Sequence, residues 1–146
     1  MILPLLLLAL AAGVLLPVQA GINAQLRSAL GSPLAAALVS FLVGTAALAL
    51  VALGLRVQLP LRAAWAASAW WEWTGGVVGA VYVLTTIILA PKLGAATLIA
   101  AVVAGQMMAS LVLDQYGLVG FPVHTVNAVR LLGTGLVIVG VVLVQR

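Results

Sequence analysis

The chain has 146 residues, 66% of them hydrophobic and 5% charged, where an ordinary soluble domain carries about 25% charged residues. A globule this small could not hide so much apolar surface from water, so most of the chain is solvated by lipid and it is an integral membrane protein. Six basic residues against two acidic ones leave a net charge of +4; they stand singly, which argues against a nucleic-acid surface and for markers at the ends of spans, and the lack of cysteine excludes disulfides, thiol nucleophiles and thiolate metal sites.

A membrane-crossing helix needs about 20 apolar residues, and five segments qualify: 2–25, 33–55, 74–90, 93–113 and 126–144. The first carries Pro17, Gln19, Asn23 and Gln25 before its first charge, Arg27. Val18-Gln19-Ala20 imitates a signal-peptidase site, but no Lys or Arg precedes it and the apolar run is too long for a signal sequence, so this segment is expected to stay on the chain. The second opens on Ser32-Pro33, a good N-cap followed by proline at the first helical position. Segment 56–73 holds all of the tryptophans, Trp65, Trp70, Trp71 and Trp73; tryptophan collects at the headgroup level, so this stretch is expected to lie in the interface. Pro91-Lys92 is expected to form a tight turn that makes an antiparallel hairpin of the third and fourth spans. The whole chain is then one domain of five transmembrane helices.

Five spans put the termini on opposite sides. Arg56, Arg62 and Arg130 then face one side and Arg27, Lys92 and Arg146 the other, three against three. The positive-inside rule sets orientation from an asymmetry in this count, and there is none. Either a partner or helix hydrophobicity sets the orientation, or the same chain inserts both ways. In the second case two copies pair antiparallel and reproduce an inverted-repeat transporter of ten helices.

Polar atoms in hydrocarbon need partners or a water-filled cavity. Gln19 and Asn23 share a face of the first helix, Tyr82 and Thr86 a face of the third, and Gln106, Ser110 and Asp114 a stripe along the fourth. Gln19, Asn23, Tyr82, Gln106 and Ser110 are the candidate substrate-binding residues, with interhelical hydrogen bonding as the alternative role. Pro17 removes a helix hydrogen bond and is a candidate hinge, or simply a bend around a neighbour. Small residues at helical spacing (Ala36, Ser40 and Gly44; Gly75 and Gly79; Ala101, Gly105 and Ala109; Gly133 and Gly140) suit close helix packing, and Gly105 beside Gln106 is grouped with Pro17 as structural or gating. Glu72 precedes a helix N-terminus, where the dipole favours it; Asp114 ends a helix, where the dipole disfavours it, and Arg130 is its expected partner. His124 is expected to be a solvated loop residue. Nothing suggests an enzyme: no metal-ligand cluster, no base beside a nucleophile and no phosphate loop, so no cofactor or metal is expected.

The stretches "PVQAGINAQL", "GSPLAAALVSFLVGT", "GGVVGAVYV", "PKLGAA", "AGQMMASLVLDQYGL" and "RLLG" run in order along nearly the whole chain. In these the sequence resembles the YdcZ-like members of the drug/metabolite transporter superfamily, relatives of the small multidrug resistance transporters. The resemblance implies a five-helix protomer working as an antiparallel pair in the bacterial inner membrane. It also implies alternating-access transport of small polar or amphiphilic solutes. The related multidrug transporters carry a glutamate in their first helix; this chain has Gly13 near the middle of that span and no acid in it, which departs from proton-coupled cation antiport. On this reading the amides of the first and fourth helices line a cavity at a homodimer interface, and the partners are a second copy, the bilayer and a small-molecule or ion substrate, not nucleic acid. A dual-topology ion channel and an accessory subunit of a heterodimeric transporter are the alternatives.

Overall fold

The structure is a computed structural model that describes residues 2–145, and among these it contains helices and connecting turns with no strand. In chain order the elements are α1 (Ile2–Leu30), α2 (Pro33–Gly54), the short α3 (Leu61–Ala67), a 3-10 turn (Trp70–Thr74), α4 (Gly75–Tyr116) and α5 (Ala128–Val144). α1, α2 and the stretch Trp70–Tyr116 are long and apolar enough to cross a membrane, while α5 is a shorter apolar helix. Leucines and valines along α1, α2 and α5 are exposed in the chain taken alone, as lipid-facing side chains are.

α4 is 42 residues long. At about 1.5 Å per residue a continuous helix of that length would be roughly twice the ~30 Å hydrocarbon thickness, and it is not continuous. Gly94 has φ 74° and ψ 164°, a backbone region open essentially only to glycine, so α4 consists of two helices, 75–93 and 95–116, meeting at this residue. This corrects the expected turn at Pro91-Lys92: helix continues through Pro91 and the break falls at Gly94. Proline fixes a helical φ, and what it removes is a donor.

The described chain forms two compact units. One is Val18–Pro91; the other takes the residues up to Pro17 and from Lys92 onward. The two prolines inside helices, Pro17 and Pro91, both stand at this division.

In the Val18–Pro91 unit, Ala36 and Ala37 of α2 and Val83 and Ile87 of α4 form the buried core, with Leu26, Tyr82 and Leu84 packed on it. Val83 and Ile87 are one turn apart on one face, and the alanines opposite let the backbones approach. Ser32 caps α2, its hydroxyl accepting from the Ala35 amide at 3.3 Å, with Pro33 at the helix start as the sequence predicts. α1 runs beyond its apolar span to Leu30 and so carries Arg27 in its last turn. There Arg27 Nη1 donates to the Ile87 carbonyl at 3.2 Å. That carbonyl is the one that would accept from the amide four residues on, and residue 91 is proline. The arginine thus supplies the hydrogen bond that the proline cannot.

In the other unit, Leu98 and Ala104 are buried on helix 95–116 and Thr134 on α5. Gly117 ends helix 95–116 in the left-handed region, φ 60°. A Cβ there would lie 2.8 Å from Val123 Cγ2 and 3.3 Å from the Phe121 carbonyl, so glycine is required for both strain and space. Gln115 Oε1 accepts from the Val126 amide at 2.7 Å, and the His124 amide donates to the Asp114 carbonyl at 2.9 Å. These bonds fold the connection back to α5, which Asn127 caps by accepting from the Arg130 amide at 2.9 Å.

Candidate functional site

Within the Val18–Pro91 unit, α1 and α2 border a groove of about 220 Å³ lined by Gln19, Ser40, Phe41, Gly44, Thr45 and Leu48. Its construction follows from helix periodicity. Ser40, Gly44 and Leu48 form one i, i+4 row of α2, and Phe41 and Thr45 form the adjacent row. Gly44 is the floor: a Cβ there would meet nothing within 4 Å, so the space over it belongs to the groove. Gln19, exposed on α1, supplies the facing amide.

The depth of this groove is set by the chain itself. Ser40 to Leu48 bracket the middle of the Pro33–Gly54 helix. On α1, Gln19 lies two turns before Arg27, or about 12 Å of rise, against a half-thickness of about 15 Å. The groove thus lies about midway along the apolar length of α2 and about two turns inside the charged end of α1, the level at which transporter sites are commonly built.

Every lining side chain is uncharged. The amide and the two hydroxyls each both donate and accept. The Phe41 ring could favour a cation by about 0.5–2 kcal/mol. A bare charge at the bilayer centre costs at least about 2.5–3.5 kcal/mol, so the ring alone does not compensate it.

The other sequence candidates fall elsewhere. Asn23, one turn beyond Gln19, is 4% exposed, and its Nδ2 has no hydrogen-bond partner among the described residues. It is a buried amide beside the core rather than part of the groove lining. Tyr82 is half-buried against the same core, and Thr86 donates to the Val83 carbonyl at 2.8 Å, a bond within its own helix. Pro17 is half-buried inside α1. Gly105, Gln106 and Ser110 are exposed on helix 95–116 and do not line this groove. Sequence reasoning missed Phe41, Thr45 and Leu48 and treated Ser40 and Gly44 as packing residues. The usable signal was two polar residues flanking a glycine in mid-helix, Ser40 and Thr45 around Gly44.

Asp114 and Arg130 form an ion pair, with side chains 21% and 32% exposed respectively. Arg130 Nη1 also donates to the His124 carbonyl at 2.8 Å. A second, shallower depression at this end is lined by Asp114, Val123, His124, Thr125, Asn127 and Arg130. Its charges already satisfy each other, so it holds the connection to α5 and offers a ligand little. Among the described residues no three His, Asp or Glu side chains lie together to hold a metal ion.

Membrane-length apolar helices with an uncharged polar groove at mid-depth define a membrane protein with room for a small molecule inside its hydrocarbon zone. Over residues 4–143 the chain matches the family described as "Putative inner membrane exporter, YdcZ", and it belongs to that family. Comparison with curated proteins and with solved structures finds no match.

Proposed function

We propose that the chain exports a small polar or amphiphilic solute across the bacterial inner membrane by alternating access, working as an antiparallel homodimer of five-span protomers. Membership of an exporter family supports the class of activity. The mid-depth groove is the observation that carries the reading to a site: it puts donors, acceptors and an aromatic wall where a solute must pass. The even division of basic residues between the two sides supports dual insertion. In an antiparallel pair the two copies' grooves would lie at matching depth, as the halves of an inverted-repeat site do.

Nothing lies within 4 Å of where a Cβ at Gly44 would stand, and Gly44→Leu places a further three carbons in the groove. Cells expressing the wild-type chain should enrich at least one small solute in the medium relative to cells expressing Gly44→Leu at equal membrane levels. Identical media would remove the groove from any export path. The pairing is tested separately by single cysteines at Ala63 and Gln145, labelled from outside intact cells. Partial labelling of both sites in one population is expected; labelling of each from one side only would end the homodimer reading.

A further inference from the structure

The groove also discriminates by charge. We propose that it is a site for an uncharged solute that both donates and accepts hydrogen bonds and carries an apolar face, and that ions of either sign are excluded from it; this deepens the exporter reading and rests on it.

The chemistry of the lining carries the inference. An organic cation is usually held by a carboxylate or a cage of aromatic rings, a bare metal cation by about six or more converging oxygens, and an anion by a guanidinium, an ammonium or several converging N–H and O–H donors; three side-chain polar groups and one ring fall short of each. The groove has one amide, two hydroxyls, one ring, one leucine and an open glycine floor. Gln19, Ser40 and Thr45 can each rotate to donate or accept, so together they match a solute of mixed hydrogen bonding and favour neither sign. They cannot neutralise a net charge, and at mid-membrane depth an uncompensated charge is what the surroundings penalise most. The charge nearest in sequence on α1 is Arg27, two turns along, and its Nη1 is engaged by the Ile87 carbonyl. Phe41 and Leu48 form the apolar wall and exclude a solute that is polar on every side. The groove is smaller than the ~300–1,000 Å³ of an ordinary ligand pocket, which fits a small solute held on one side by this chain.

The absence of native cysteine allows a direct test. Ser40→Cys and Thr45→Cys are near-isosteric changes on the two rows of the groove. Leu42→Cys, on an exposed part of the same helix, reports arrival through lipid. Each protein is reconstituted in phosphatidylcholine/phosphatidylglycerol vesicles and treated with three methanethiosulfonates that differ only in the group transferred: hydroxyethyl, trimethylammonioethyl and sulfonatoethyl. Rates are normalised to those on a free thiol. The expected result is that the hydroxyethyl reagent modifies Ser40→Cys and Thr45→Cys at least tenfold faster than either charged reagent, with Leu42→Cys unmodified. A charged reagent within tenfold of the neutral one at those positions would overturn the uncharged class and leave the exporter reading standing. If no reagent reaches either position, or if Leu42→Cys reacts as fast as they do, the groove is not a water-accessible path, and the proposal falls together with the site it rests on.

Discussion

Arg27 and Arg130 show how the two units treat the same guanidinium differently. Arg27 stands in the last turn of α1, where the helix dipole favours a cation, and its bond is to a backbone carbonyl, that of Ile87. Arg130 stands in the first turn of α5, where the dipole disfavours a cation, and it takes a full carboxylate as well as the His124 carbonyl. Asp114 is likewise misplaced, near the C-terminal end of helix 95–116. Two charges at the wrong helix ends thus stabilise each other, while a charge at the right end is free to repair a backbone defect made by proline. Near a membrane, the partner an ionic group needs is set by the helix terminus it occupies as much as by its burial.

The largest effect that sharpens this contrast is expected at Arg130. Arg130→Ala leaves Asp114 facing the end of its own helix and removes the tie to His124, at a cost of roughly 2–4 kcal/mol for a partly buried pair. Equilibrium unfolding in mixed micelles reads it. The double exchange Asp114→Arg with Arg130→Asp places each charge at the terminus its dipole favours and should recover most of the loss; a swap no better than the single variant would remove helix dipoles from the explanation. Next is Arg27→Ala, expected to cost about 1.5–3 kcal/mol as a hydrogen bond from a charged donor. Pro91→Ala restores an amide to the Ile87 carbonyl, so the same arginine truncation in a Pro91→Ala background should cost less than half as much. Equal costs in both backgrounds would break the proposed substitution. Gly117→Ala should cost about 1–2 kcal/mol for the left-handed backbone alone, and its added clash with Val123 should show as faster proteolysis of the connection to α5. Smallest in stability is Gln19→Ala, expected within about 0.5 kcal/mol of wild type yet lowering export; Gln106→Ala, which removes no residue of the groove lining, should preserve it. Export unchanged in Gln19→Ala would take that amide out of the site.

Helix identity was legible in the sequence where local chemistry decides it. Ser32-Pro33 starts a helix because the hydroxyl caps and the ring preorganises, and neither needs tertiary context. The Asp114–Arg130 pair was legible because Asp114 sat at an unfavourable helix end and Arg130, near the start of the next helix, was the cation within reach. Hydropathy misled at the end of α1: the apolar run stops at Gln25, but the helix runs to Leu30, since hydropathy reports lipid exposure and not backbone conformation. Pro91 misled in the opposite direction. A proline followed by a lysine suggests a turn, but the carbonyl it would orphan is satisfied by a residue 60 positions away, and no local pattern encodes that. The groove was half legible, through Gln19. Ser40, Phe41 and Thr45 lay in a run where small and polar residues fit packing equally well, and only the register of α2 against α1 separates the two roles.

The Asp114–Arg130 pair also has a consequence for biosynthesis. The partners are 16 residues apart in the chain, so at ribosomal speeds of about 5–20 residues per second the carboxylate emerges roughly 1–3 seconds before the arginine. During that interval Asp114 lacks the cation it pairs with in the folded chain, and an unpaired carboxylate disfavours entry of that helix end into lipid. The arrival of Arg130 then fixes the start of the last helix against an anchor already in place. A nascent chain halted before residue 130 should therefore leave this corner open, and one halted after α5 has cleared the exit tunnel should find it closed.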